Sequence, residues 1–442
     1  MGKSPKILLA LCAGFPLMAQ APSLTFYGIL DAGVAHLTHS LDFDSYHPVT
    51  VNPYPSKGPG SATGMFNGGL SQSRIGVKGS TDLADDWKAL FTLESAINIP
   101  NGNVSNAAIG NAQSKTVSNT IANNVGMYMT ADSAISGQLF NRGAYFGVSH
   151  PTYGTFTIGR QQSLMLDAIP GYDALGGAQL FTPIGFSGTY GGGGATDNSR
   201  VDDTLKYRLK AGDFSLALLH KIGGVSGSST AKGTDQISVA YEHGAFGLLG
   251  AYQTYKDAFS MSTPAATAAQ PLGTLVLTAF DTTSIWLGAR YKAGPVLITA
   301  GYQKMAFTNP SDPIEAAGTT SYYGQVVSAV NVTPYTLNGA GREKDQNIWW
   351  LGAAWEVTPA FSVAASYYDL SQDDWSQGSI LAADAAKKSG TQKYTSLLLD
   401  YRFTKAFDIY LACMSSKYAD ALAVGLVNPN NLITGLGMRY KF

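Results

Sequence analysis

Of the 442 residues only 13% are charged, 50 are glycine, and the formal net charge is −1 at pH 7. So neutral a chain carries no electrostatic footprint for nucleic acid or for an acidic surface. It is polar without being charged, rich in Tyr, Phe, Ser, Thr and Asn, which suits strands and turns better than helices.

The N-terminus reads as an export signal. Lys3 and Lys6 precede the apolar run "ILLALCAGFPLM" and the small-residue site Ala19-Gln20-Ala21. This pattern predicts a signal peptide over 1–19, with Ala21 as the later alternative cut, and a single mature domain over 20–442. Cys12 raises a lipoprotein alternative, but Leu11 is larger than the small residue such a site uses. After cleavage Cys413 stands alone, so no intramolecular disulfide is expected. Beyond the signal no run of 18 apolar residues occurs, which argues against a transmembrane helix.

Strict alternation then recurs along the chain, the mark of strands with one apolar face. In "SLTFYGILDAGVAHL", Leu24, Phe26, Leu30 and Val34 share one face and Thr25, Tyr27 and Asp31 the other. "SQSRIGVKG" sets Ile75 and Val77 against Arg74 and Lys78, and "DWKALFTLES" sets Trp87, Phe91 and Leu93 against Lys88, Thr92 and Glu94. In "SRVDDTLKYRL", Arg200, Lys206 and Arg208 oppose Val201, Leu205, Tyr207 and Leu209. "TDQISVAYEH", "TTSIWLGARYKA", "QNIWWLGAAWEV" and "TQKYTSLLLDYRF" repeat the scheme. About sixteen such segments are predicted, starting near Ser23, Gly69, Asp86, Leu139, Tyr153, Ser199, Phe214, Thr234, Phe246, Thr282, Pro295, Asp345, Phe361, Thr391, Phe407 and Asn431. Their lengths match the 9–11 residues that a tilted strand needs to cross a bilayer.

Tight turns such as "KAGD", "HGA" and "KAGP" alternate with long connections at about 38–68, 99–138, 162–198, 222–233, 257–281, 307–344, 371–390 and 419–430. Short turns at one end and long loops at the other predict an all-β fold, a 16-stranded antiparallel transmembrane β-barrel in a bacterial outer membrane. Both termini would be periplasmic and the long loops extracellular. The closing "NLITGLGMRYKF" alternates to its last residue. A closed barrel leaves no backbone group unpaired, so this strand is expected to pair with the first. Leu436, Met438 and Tyr440 would then face outward, and Arg439 and Lys441 the lumen.

The stretches "LTFYGILDAGV", "SRIGVKGSTDL", "FNRGAYFGV" with "YGTFTIGRQ", and "GLGMRYKF" together resemble the general diffusion porins of Gram-negative outer membranes. The resemblance implies a homotrimer amid outer-membrane lipid and lipopolysaccharide, with a third loop, here 162–198, folded inward to narrow the pore. It implies a wall of arginines facing loop carboxylates: Arg74, Arg142 and Arg200 by motif match, with Lys78, Lys206 and Arg208 alongside, against Asp167 and Asp173. It also implies that Tyr440 and Phe442 form the signal read by the barrel-assembly machinery. Two departures stand out. Arg142 has the parity of Phe146 and would point outward unless a bulge intervenes, and "YDALGG" replaces the family's "PEFGG".

The segment 161–199 contains no Lys or Arg, yet carries Asp167, Asp173 and Asp197 among many apolar residues. A loop this long and apolar is expected to be buried in the lumen rather than held in water. Opposed rows of charge across a narrow aqueous gap would make a transverse field, with small hydrophilic solutes and ions passing passively and a mild preference for anions.

No nucleophile elbow, zinc-protease, P-loop or C-x-x-C motif is present, so no catalytic residue, cofactor or metal site is expected. His36 and His39 lack a third ligand. The competing readings are a substrate-specific outer-membrane channel and, further off, an enzyme or adhesin carried on a barrel.

Overall fold

The computed structural model describes residues 23–40, 60–100, 102, 104, 128–130, 139–184, 199–224, 228–231, 233–256, 259–262, 274–277, 281–308, 344–374, 389–423 and 429–442. The expected signal peptide over 1–19 lies outside them, as does Asp197.

Seventeen hydrogen-bonded segments form one antiparallel sheet. Two of them, Gly60–Asn67 and Arg74–Asp82, pair with successive stretches of the same partner, so they are halves of one strand and the barrel has sixteen staves. In chain order these are β1 Ser23–Ser40, the divided β2, β3 Lys88–Ala96, β4 Gly143–His150 and β5 Gly154–Gln162. After helix α1 Leu164–Tyr172 come β6 Arg200–Ala211, β7 Phe214–Lys221, β8 Thr234–His243, β9 Phe246–Tyr255 and β10 Asp281–Ala293. The set closes with β11 Val296–Thr308, β12 Lys344–Glu356, β13 Phe361–Gln372, β14 Gly390–Arg402, β15 Phe407–Asp420 and β16 Asn430–Lys441.

The final strand closes the cylinder as the alternation requires. β16 pairs with β1 from Ile29↔Lys441 to Leu37↔Ile433, and Phe442 exchanges backbone hydrogen bonds with Gly28 at 3.0 and 3.1 Å. The ring of Phe442 lies where a side chain at residue 28 would be: a Cβ there would come within 2.4 Å of it and within 2.8 Å of the Arg74 carbonyl. Leu436 (58% exposed) and Met438 (56%) point outward, while the guanidinium of Arg439 turns inward to Asp408.

The outer surface is apolar along its middle and aromatic at the turn end. Tyr153, Phe214, Phe246, Tyr291, Trp355, Tyr401, Phe403 and Tyr440 are exposed there, with Tyr440 stacked on Phe442 at 6.0 Å. Aromatic rings favour the boundary between hydrocarbon and water, which fixes the barrel's depth. The turns at that end are tight: Gly212 (φ 60°) and Gly244 (φ 57°) take left-handed conformations that reverse the chain between β6 and β7 and between β8 and β9.

The fold departs from expectation in three places. β2 begins at Gly60 rather than near Gly69, and its two halves are separated by an inward fold at 68–73. Loops 99–138 and 257–281 contribute short strands, Tyr128–Thr130, Phe259–Ser262 and Thr274–Leu277, which form a separate three-stranded sheet. The segment after β5 begins with α1 instead of irregular chain.

Candidate functional site: the lumen and its inward loop

The inward break in β2 is built on Asp31. Its carboxylate accepts the backbone N–H groups of Gly69 (3.1 Å), Leu70 (3.0 Å) and Ser71 (2.7 Å) and the phenol of Tyr410. The Ser73 hydroxyl donates to the Asp31 carbonyl and accepts from its N–H, both at 2.9 Å. Five polar groups that the ladder would have paired thus find a partner inside the wall. The break in turn supports the inward loop, since the Leu180 N–H donates to the Gly69 carbonyl at 3.0 Å.

The loop starts at Ser163, whose hydroxyl caps α1 by accepting from the Leu166 N–H at 3.2 Å. From there it runs along a row of aromatic side chains on the inner faces of β10 and β12–β15: Trp286, Trp350, Tyr368, Tyr394 and Tyr410, each no more than 1% exposed. Trp286 packs edge-on to Tyr172 of the loop (5.7 Å) and against Trp350 (5.3 Å). The Trp350 indole donates to the Tyr172 carbonyl at 2.8 Å and the Ser396 hydroxyl to the Phe181 carbonyl at 2.6 Å. Phe181 meets Phe66 of β2 edge-on at 6.2 Å. The main apolar core of this barrel therefore lies inside it, between the loop and one half of the wall.

That packing explains the position of Asp173. It is not a pore-facing carboxylate opposite the basic wall, as the sequence comparison implies, but is 1% exposed against the far wall. It accepts from Tyr368 at 2.5 Å and from the Gly177 N–H at 2.8 Å. Burial pushes its pKa up to about 6, against the lowering effect of those hydrogen bonds. A carboxyl that binds its proton more tightly in the docked loop than in water stabilises docking fully below its ordinary value near 3.8, and this contribution is lost as pH rises through 6. The loop is expected to dock more firmly at pH 5 than at pH 8, and Asp173→Asn to flatten that difference. Protection of the Gly177 amide from hydrogen exchange, corrected for its intrinsic pH dependence, measures it; equal protection in both proteins at both pH values refutes it.

The basic residues gather on the other half of the lumen, on β2 to β6. Arg74 and Arg142 converge on Glu94, at 3.7 and 2.6 Å, and the Tyr27 phenol donates to the same carboxylate at 3.0 Å. Arg142 is inward despite its parity because it precedes β4: the chain bends at that residue, and its N–H still donates to the Glu94 carbonyl. Arg200 is 3% exposed and donates to Gln72 of the β2 break at 3.0 Å, while Arg160 pairs with Asp202. Lys206 donates to Asp167 at 2.6 Å and to the Gln162 carbonyl at 2.7 Å, and Arg208 binds Asp167 as well. Asp167 is therefore in direct contact with the basic wall rather than facing it across water. Lys78 lies over the Tyr27 ring at 5.4 Å. Lys78, Tyr145, Thr92, Thr155 and Arg208 line a lumen cavity of about 350 Å³.

The sequence reading missed Glu94 as a site residue, although its parity with Thr92 places it inward. It also missed the aromatic row. Large rings at inward positions on five strands signal that something must cover them, and α1 with its following segment is that cover.

A closed sixteen-stranded cylinder, apolar outside, with a loop drawn into a charged lumen, defines a transmembrane barrel of the porin type. The family model for Gram-negative porins matches residues 7–421, and the chain belongs to that family. The family and the barrel place it in the outer membrane. The chain is 26% identical to an outer membrane porin protein of Bordetella pertussis over 323 residues, 73% of this chain and 64% of the relative, so the match spans less than two thirds of that protein. Among solved structures it is similar to an anion-selective porin from Comamonas acidovorans, with a TM-score of 0.62 and 19% identity, covering 95% of this chain and 100% of that one. It is also similar to OmpT of Vibrio cholerae in its trimer form, with a TM-score of 0.55 and 13% identity, covering 96% and 100%.

Proposed function

We propose that this protein is a passive channel, a trimer with periplasmic termini, through which small hydrophilic solutes and ions diffuse with a mild preference for anions. The observation that carries the reading is the charge on one side of the lumen. Arg74, Lys78, Arg142, Arg160, Arg200, Lys206 and Arg208 share that wall with three carboxylates, Glu94, Asp167 and Asp202. A low-dielectric barrel focuses such an excess into the water of the pore. The similar Comamonas protein is described as anion-selective and the Vibrio one as a trimer, which supports the same reading here. Tyr440 and Phe442, paired and exposed beside the seam, suit the role of an assembly signal.

The purified protein in a planar bilayer is expected to open large steps that close in three equal decrements, with a reversal potential favouring chloride in a KCl gradient. Exposure ranks the contributors. Arg208 has half its side chain in the lumen and Arg74 a quarter, whereas Arg200 is buried. A unit charge about 4 Å from a passing ion is worth about 1 kcal/mol in water, so neutralising two in Arg74→Gln with Lys78→Gln should lower the chloride-to-potassium permeability ratio by at least about fivefold in dilute salt. Arg200→Gln alone should move it less. A wild-type reversal potential that favours potassium defeats the anion preference, and absence of conductance defeats the channel.

A further inference from the structure

The inner walls of β7, β8 and β9 carry apolar residues where an aqueous pore needs none. Ala217, Ala240 and Leu249 have inward parity, opposite the exposed Leu218, Val239 and Leu248. Across from them α1 presents Leu164, Asp167 and Ala168, which share a helix face at spacings of three and four. Between helix and wall lies a cavity of about 420 Å³ lined by Leu164, Asp167, Ala168, Ala217, Ala240 and Leu249, with Ser215 and Ser238 between them, within the size range of small-molecule sites.

Arg208 and Lys210 also line this cavity. Among the described residues Asp167 is its only lining carboxylate, and it is shared by Lys206 and Arg208. The triad keeps one positive charge, and Lys210 adds a second. Arg208 leaves half its side chain exposed to the lumen.

We propose that this chamber is a binding subsite for carboxylates bearing a compact aromatic body, with the ring on Leu249, Ala240 and Ala168 and the carboxylate at Lys210 and Arg208. Neither half of the chamber suffices alone. An inorganic anion offers nothing to the apolar wall, and a neutral aromatic nothing to the cations. The subsite gives the channel a preferred solute class, and it rests on the channel reading above.

The test is block of KCl current through the purified protein by benzoate, with acetate and benzamide as comparators that each lack one half of the match. Benzoate should halve the current at a concentration at least about tenfold below either comparator, a difference of about 1.4 kcal/mol. Leu249→Asn and Lys210→Gln should each remove most of that advantage, read within each variant as the ratio of benzoate block to acetate and benzamide block. Lys210 is exposed, so its variant tests the charge without disturbing packing. Equal block by the three probes, or benzoate block unchanged in both variants, overturns the subsite and leaves the channel standing. Loss of KCl conductance in the wild type would instead remove the channel itself.

Discussion

Replacing Asp31 by alanine is expected to destabilise the folded barrel by about 3 kcal/mol or more, because three backbone donors and a buried phenol lose their acceptor, each at about 1–3 kcal/mol. The site is closed off from bulk solvent, since Asp31 is 0% exposed and its hydrogen bonds to the N–H groups of Gly69 and Leu70 are buried. The damage should spread to the pore, since the Gly69 carbonyl holds Leu180 of the inward loop. Urea denaturation in detergent micelles, followed by tryptophan fluorescence, measures the first effect. Flicker of the open-channel current measures the second. Asp31→Asn keeps one acceptor oxygen and should fall between the two proteins. A midpoint unchanged in Asp31→Ala would mean that the break in β2 is held by something other than this carboxylate.

The second large effect is expected from Trp350→Ala. The side chain is 1% exposed, fills the space between Trp286 and the loop, and lies over Gly301, where a Cβ would come within 1.9 Å of its ring. Truncating a buried tryptophan costs about 3–5 kcal/mol through lost transfer energy and the cavity left behind. The Tyr172 carbonyl also loses its indole donor. Because β11, β12 and β13 stay paired throughout their length, the cylinder should persist while the loop loosens. Trypsin digestion cannot report this, since 161–199 offers no basic residue, but chymotrypsin cleavage after Tyr172 or Phe181 can. Faster cleavage in Trp350→Ala than in Trp350→Phe is the expected outcome, and equal rates would show that the packing around α1 does not depend on this ring.

Much of the cylinder was legible because its physics is local. Period-two alternation and turn residues predict strand starts within about four residues of those observed for every stave except β2, whose first half has the sequence character of a loop. That half, "GSATGMFN", carries four small residues (Gly60, Ser61, Ala62 and Gly64) and little alternation, and its strand character comes from pairing with β1, a partner no local pattern reveals. Helix α1 was hidden by Pro170 within it, a residue that usually ends helices. The wall charges were legible by parity, and Arg142 by motif alone, since the bend before β4 breaks the parity rule.

The loop's carboxylates show the limit more sharply. Asp167 and Asp173 look equivalent in sequence, six residues apart on one apolar segment. One ends on Lys206 and Arg208, the other beneath Tyr368 on the opposite wall, because the loop crosses the lumen between them. Which wall each meets depends on the trajectory of the chain, and that is set by the aromatic row on five distant strands.

The seam has a consequence for how the molecule is made. Ile29 finds its neighbour in Lys441, so the earliest stave bears a bare edge until the latest has been synthesised and exported. Loop closure over such a separation is slow, and an unpaired edge invites pairing with other chains. During that interval the open edge of β1 is a template for pairing between chains, so the yield of closed barrel should fall as the concentration of unfolded chain rises.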